Sequence, residues 1–428
     1  MSAAAAPGAR ERLGLLALMA EGLLSRLSFG VVAFALPLYG RKLGLGLAEV
    51  GILVGLHSAV GIALKPAMGW VTDRIGARRA LVMAVALRSL VSLLLAFAGA
   101  GWQLYGIRAL HGLSQALRDP AAGVLLAGGV EKKVASRFAW YQSAKSAGGS
   151  LGKGLAGLLL AAAGARYPAV FLAAFALSSL PLVVVVLFVK EPEEEARGAP
   201  AAARPPATAR AAAPAAPAAR ARVLPYAGLG FLVAGTGEML SQLFPVIAVE
   251  HAGLSTAQAG AIYLGASVLS VVGGPIFGWL SDRAGPRPVL LVRGATNILS
   301  SVAYGLTPSL AGIAFARCAD DLGKAAFRPA WGAIMAGLAR QDRATRARTM
   351  SWLGMGEDLG EVVGPMLAGL IWGAFGLPAV AVARVALALA SEAYALLVAH
   401  GVEPAAANPP ASNASGEVLA LGLKTGST

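Results

Sequence analysis

The chain has 428 residues, of which 57% are hydrophobic and 14% charged, and its mean hydropathy is +0.67. That length would suit a soluble protein of two or three domains, but so apolar a composition points to a chain that resides in a bilayer. The net charge of +14 would also suit a nucleic-acid binder, so the position of the basic residues decides what it means. The 54 glycines fit closely packed membrane helices. Cys318 is the single cysteine and can form no intrachain disulfide. Arg10 and Arg12 precede an apolar run that is too long for a signal peptide and has no clear cleavage site.

Twelve apolar spans follow in order: 13–39, 48–71, 80–99, 102–127, 138–163, 169–189, 224–249, 256–280, 289–307, 310–337, 349–373 and 378–400. Several exceed the roughly 20 residues that cross a bilayer, which allows for tilt or for extension past the lipid. The sixth carries no charge, whereas the fourth, fifth, tenth and eleventh carry several. With the N-terminus placed inside, the cytoplasmic segments hold 21 Lys and Arg, and the opposite side holds Arg41, Lys42 and Arg166. This asymmetry predicts an inner-membrane protein with both termini cytoplasmic. It also argues against nucleic acid, because the basic residues lie where anionic membrane lipid would meet them. Residues 190–223 are rich in Ala, Pro and Arg without apolar periodicity, which predicts a disordered cytoplasmic linker. Residues 401–428 read as a disordered cytoplasmic tail. The halves on either side of the linker are 1–189 and 224–400.

A charged loop between the second and third spans runs Gly69-Trp70-Val71-Thr72-Asp73-Arg74-Ile75-Gly76-Ala77-Arg78-Arg79. It returns 209 residues later with Gly278, Asp282, Arg283, Gly285 and Arg287, but with Pro288 where a basic residue would stand. Pro66 and Pro275, Arg108 and Arg317, and Pro120 and Pro329 keep the same offset. In the fifth and eleventh spans, Gly148, Gly152 and Gly157 align with Gly360, Gly364 and Gly369 at an offset of 212. Such a repeat predicts two homologous membrane halves. The loop resembles the signature of the major facilitator superfamily. The resemblance implies an all-α membrane protein of twelve transmembrane helices in two pseudo-symmetric six-helix bundles, acting as a secondary transporter by alternating access. It also implies a gating role for Gly69, Asp73, Arg74, Gly76, Arg78, Arg79, Asp282 and Arg283, with Asp73 meeting the start of the eleventh helix in the outward-facing state. Arg108 to Gly112 resembles the family's R-x-x-x-G element, whose Arg is linked to proton coupling. Gly148 to Gly157 resembles the Gly-rich motif of drug antiporters, but Lys153 stands at its Pro position, which speaks against that function.

Each charge inside a span needs a cavity, a partner or a function. In the fourth span Arg108, His111, Gln115 and Arg118 fall on one helical face, with Asp119 beside them. The tenth span carries Asp320 and Lys324, an i,i+4 pair in the favourable acid-first order. Lys145 and Lys153, eight residues apart, share a face of the fifth. Arg88, Arg293, Arg384 and Glu392 have no evident companions and read as structural or snorkelling groups. The expected substrate contacts are therefore Arg118, Lys145, His111, Gln115, Asp320 and Lys324, with Arg118 and Lys145 recognising an anion. Glu21 and Glu238, in the first helix of each half, are the expected proton carriers alongside Arg108. Lys65 is expected to pair with Glu357 or Asp358 and to release it when the inner gate opens.

The histidines have no metal-ligand spacing, and no nucleophile or phosphate-binding motif is present. The expectation is thus no enzyme, no metal and no cofactor. The chain reads as a monomeric, gradient-driven and proton-coupled transporter of a small polar solute, anionic or zwitterionic. Amphipathic drug efflux is the alternative, and a non-transporting receptor or scaffold on the same fold is the alternative of another class.

Overall fold

The computed structural model describes residues 7–127, 134–190, 217–341 and 346–398. The expected tail, most of the expected linker and His400 lie outside the described residues.

Among the described residues there are twelve long helices and no strand: α1 (Pro7–Lys42), α2 (Leu47–Ile75), α3 (Ala77–Phe97), α4 (Gly101–Ala127), α5 (Val134–Ala162), α6 (Tyr167–Phe188), α7 (Pro217–Ser241), α8 (Thr256–Ala284), α9 (Pro286–Leu306), α10 (Leu310–Gln341), α11 (Arg346–Phe375) and α12 (Leu377–Val398). The shortest, 21 residues long, still spans about 30 Å at 1.5 Å per residue, enough for a bilayer core. Eight of the twelve are apolar enough to cross a membrane on composition alone. The other four are α4, α5, α10 and α11, whose charges lower the hydropathy of helices that face the interior.

Two boundaries differ from the sequence reading. α7 begins at Pro217, inside the stretch read as linker, because Ala and Arg are strong helix formers and Pro is welcome at a first helical turn. The seventh span is not one continuous helix either. It breaks after Ser241 and resumes as the turn Phe244–Val246 and a π-helical turn Ile247–His251, with Pro245 removing a backbone donor near the break.

Local chemistry accounts for the ends. Gly76 and Gly285 hold φ of 88° and 83°, which lets α2 turn into α3 and α8 into α9 where a side chain would be strained. Ser255 caps α8: its Oγ accepts from Gln258 N at 3.2 Å while Gln258 Oε1 accepts from Ser255 N at 2.9 Å.

The pairings within the two halves match. In the first half α1 packs on α5 and α6, α2 on α4, and α3 on α4 and α6; in the second, α7 packs on α11 and α12, α8 on α10, and α9 on α10 and α12. Glycine permits the closest of these approaches. Gly148 and Gly152 lie against the carbonyls of Leu23 and Leu27, and Gly360 and Gly364 against those of Phe231 and Gly235. Phe97, Trp102, Leu187, Phe375 and Leu397 are exposed on the outside, as a lipid-facing surface requires.

The halves meet through α2 against α11 and α5 against α8. Near the α1–α2 connection these contacts become backbone to backbone: a Cβ on Gly51 would stand 2.9 Å from the Gly369 Cα, and one on Gly157 2.6 Å from the Gly260 Cα. Arg41 Nε also donates across the halves to Glu250 Oε2 at 2.9 Å. One apolar core spans both halves at this end, with Phe34, Leu53, Phe244 and Tyr263 among its members. Toward the signature loops the core divides into one cluster around Leu81, Leu117 and Tyr141 and another around Tyr226, Trp331 and Leu353. The molecule is therefore shut at one end and parted at the other.

Gly157→Val should wedge the shut end. Overpacking of this kind costs about 1–3 kcal/mol, a population shift of roughly 5- to 150-fold. Spin labels on the α5 and α8 ends at this seam should move apart, and an unchanged distance distribution would contradict the packing described.

Candidate functional site

Between the shut and parted ends lies a small cleft whose lining includes Ser58, Lys65, Gln115, Asp119, Asp358 and Glu361. It draws on α2 and α4 from one half and α11 from the other. Lys65 Nζ lies 3.4 Å from Asp358 Oδ2 across it, with side chains 49% and 40% exposed.

The charges around the cleft fall into networks. In the first half Arg118 makes a two-pronged contact with Glu21, Nε to Oε1 at 2.8 Å and Nη2 to Oε2 at 3.0 Å. Ser25 Oγ and Tyr141 Oη donate to the same carboxylate at 2.8 and 3.1 Å. Glu21 and Arg118 are both buried, and this degree of hydrogen bonding is what makes a buried pair tolerable. Lys145 Nζ stands 3.9 Å from Asp119. The sequence assigned Glu21 and Arg118 to different tasks; the fold joins them.

In the second half Asp320 is the hub. It accepts from Arg384 Nη2 at 2.5 Å, with Arg293 Nη1 at 3.8 Å and Lys324 Nζ at 3.9 Å. Arg384 also donates to Thr236 O at 2.7 Å and Ser300 Oγ at 2.9 Å. Arg293 and Arg384, read from sequence as lacking companions, thus share one; the companion sits on another helix, out of reach of local spacing. Lys324 Nζ donates to Glu238 Oε1 and Ser241 Oγ, both at 2.7 Å, and Gln242 Nε2 donates to Glu238 Oε2 at 3.0 Å. Arg317 pairs with Asp321 at 2.6 Å. Among the described residues Glu392 has no ion pair; it packs where a Cβ on Gly294 would stand.

Arg108 and His111 do not join either network. Gly112 lets α4 approach α2 until a Cβ there would stand 2.7 Å from Val60 Cβ. At that distance Arg108 reaches Val54 O (3.3 Å) and His111 Nδ1 (3.2 Å), and the His111 ring lies 5.8 Å from that of His57. The R-x-x-x-G spacing therefore has a packing cause on top of any role its Arg plays. Phe29, Arg26 and Arg88 complete this group, and the sequence reading did not select Phe29 or His57 because neither carries a spacing signal.

The signature loops have parallel geometry. Arg78 donates to Val189 O at 2.6 Å and Val186 O at 2.8 Å, capping the free carbonyls at the end of α6. Arg74 stacks on Trp70 at 3.9 Å and Arg283 on Trp279 at 4.4 Å, the same contact repeated 209 residues on. Asp73, Arg79 and Asp282 are exposed, Gly69 is buried, and Glu357 is half-buried.

Two bundles joined at such a cleft define a membrane transporter fold, and sequence comparison places the chain within it. The family model described as Major Facilitator Superfamily matches residues 19–314 and 226–425, so the chain belongs to that superfamily of transporters and is not an enzyme. The probable nitrate/nitrite transporter NarK2 of Mycobacterium tuberculosis is 30% identical over 286 residues, which cover 63% of this chain and 66% of that one, just under two thirds of its length. The multidrug resistance protein MdtG of Citrobacter koseri is 28% identical over 157 residues, 36% of this chain and 39% of its own. In fold, the chain is similar to a bacterial homologue of the human lysosomal transporter Spinster solved in an inward-facing, occupied conformation (TM-score 0.73, 18% identity, 90% of this chain and 96% of that one). It is also similar to the nucleoside transporter NupG (TM-score 0.72, 12% identity, 90% and 99%).

Arg118→Gln should destabilise the protein by about 3–5 kcal/mol, because it leaves Glu21 buried without a counter-charge. The double variant Arg118→Gln/Glu21→Gln should recover much of that loss. Thermal unfolding of the detergent-solubilised protein checks both.

Proposed function

We propose that the protein is a secondary active transporter that carries a small anionic or zwitterionic solute by alternating access, coupled to protons. The observation that carries this reading is the charge balance of the interior. In the second half Arg293, Arg317, Lys324 and Arg384 each have a carboxylate partner. In the first half Arg26, Arg88 and Arg108 have no ion pair among the described residues. Arg88 and Arg108 are buried, and a transporter that leaves buried cations without an ion pair is prepared to receive negative charge. NarK2, whose name gives nitrate and nitrite as its substrates, supports the anionic reading.

With the basic loops on the cytoplasmic side, the parted end faces inward and the glycine seam closes the outside. Lys65 and Asp358 then stand on the inner pathway as a contact that changes as the halves rock. Glu21 and Glu238 remain the proposed proton carriers: each holds a cation, Arg118 and Lys324, that protonation of the carboxylate would release. The likeness to MdtG favours drug efflux as a second reading, and Asp119, Asp358 and Glu361 in the cleft lining would suit an amphipathic cation.

Purified protein in proteoliposomes should move nitrate or nitrite across the membrane, faster under a pH gradient than without one. Flux of an amphipathic cation with no anion flux would reverse the reading. Lys65→Glu should shift the halves toward the wider inner opening. The pair is half exposed and worth at most about 1 kcal/mol, so the change is roughly fivefold. Adding Asp358→Lys should restore the wild-type distribution of distances between spin labels on the inner ends of α2 and α11.

A further inference from the structure

We infer that the first half contains a dedicated site for one small planar oxyanion, built around the Phe29 ring from Arg26, Arg88, Arg108 and His111. The assignment rests on the anion-transport reading and gives it a location.

Three guanidinium groups surround one aromatic ring: Arg26, Arg88 and Arg108 stand 4.9, 5.9 and 5.8 Å from the Phe29 centroid. The His111 and His57 rings lie 5.1 and 5.4 Å from the same ring. Phe29, Arg88, Arg108, His111 and His57 are all buried. The bonds these groups do make go to neutral acceptors: Arg88 to Ser25 O at 3.2 Å, and Arg108 to Val54 O and to His111 Nδ1. No carboxylate lies within ion-pair distance of any of the three arginines among the described residues.

What is left over in this group points one way. Arg88 Nε, Arg108 Nε and His111 Nε2 are buried and have no hydrogen-bond partner. Because Arg108 donates to His111 Nδ1, that nitrogen is the acceptor, so the imidazole proton sits on Nε2. All three unpartnered atoms are therefore N–H donors. Each buried unmade bond is costly, and buried cations without a counter-charge cost more still. A ligand that supplies acceptors and negative charge answers both deficits at once, and a planar oxyanion suits it best, because guanidinium forks and a ring face present flat surfaces.

The site connects to the cleft. Ser58 and Gln115, which line the cleft, are the residue after His57 and the residue one turn beyond His111. Arg26 is half-buried and within electrostatic reach of Asp119 and Glu361, also cleft residues. Arg26 thus links the cleft to the group around Phe29.

The test uses the purified full chain and follows its melting temperature during titration with sodium nitrate, with sodium gluconate at equal ionic strength as control. Nitrate should raise the wild-type melting temperature and gluconate should not. Arg88→Gln and Arg108→Gln should each weaken the nitrate effect by roughly tenfold or more, the loss expected of a charge-assisted hydrogen bond. In gluconate buffer without nitrate the same variants should melt no lower than wild type, because each removes a buried charge that has no ion pair. The exposed Arg166→Gln should behave as wild type. If a Gln variant does not fold, Arg88→Lys and Arg108→Lys keep the charge but lose the fork and should still weaken nitrate. A lower melting temperature in gluconate with full nitrate affinity would make these arginines structural and overturn the site. Nitrate binding and flux that survive all the variants would overturn the site and leave the transport reading standing. A wild type that neither binds nor moves nitrate would overturn both.

Discussion

A charge removed from water into a membrane protein has to be answered inside the protein, and much of this architecture follows from how that requirement is met. Asp320, wholly buried, is tolerable because Arg384, Arg293 and Lys324 converge on it from three helices. Glu21 is tolerable because Arg118, Ser25 and Tyr141 use up its lone pairs. Those clusters tie α7, α9, α10 and α12 together in one half and α1, α4 and α5 in the other. Each bundle is thereby locked internally, while far fewer polar contacts cross between bundles. Two rigid bodies with a loose polar boundary are what a rocking motion requires.

Duplication explains the architecture, and divergence explains the chemistry. The helix pairings match one for one between halves, and so do the glycine turns at Gly76 and Gly285 and the Trp-stacked arginines of the signature loops. The charge balance does not match. Arg108 and Arg317 occupy equivalent positions, but Arg317 has Asp321 one turn on, whereas four residues after Arg108 is Gly112. Arg293, Arg317, Lys324 and Arg384 of one half have carboxylate partners and Arg88 and Arg108 of the other have none among the described residues, which is how a symmetric scaffold acquires a site on one side.

The parts of this structure governed by local or periodic rules were legible in the sequence. Apolar runs gave the twelve helices, and the 209-residue offset gave the two halves. The Asp320–Lys324 pairing follows from helical spacing, and Lys65 with Asp358 from the packing that the family resemblance implies. What was hidden depends on distance in the chain. Arg384 meets Asp320 across 64 residues and Tyr141 meets Glu21 across 120, and no periodicity encodes either contact. The break in the seventh span was missed because Pro245 lies in an apolar run that otherwise satisfies every test for a helix. Phe29 looked like ordinary core, since a ring acquires its meaning from the cations folded around it.

The glycine seams have a kinetic consequence. Where Gly51 faces Gly369 and Gly157 faces Gly260, the opposing surfaces are bare backbone, with no long side chains to interlock. A boundary of interdigitated leucines would have to find the right rotamers each time it closed and would lose their freedom in doing so. Two smooth strips of main chain lose almost none, and they fit in one register. At these two crossings the shut end can therefore form and part with little searching, more like a sliding bearing than a zip.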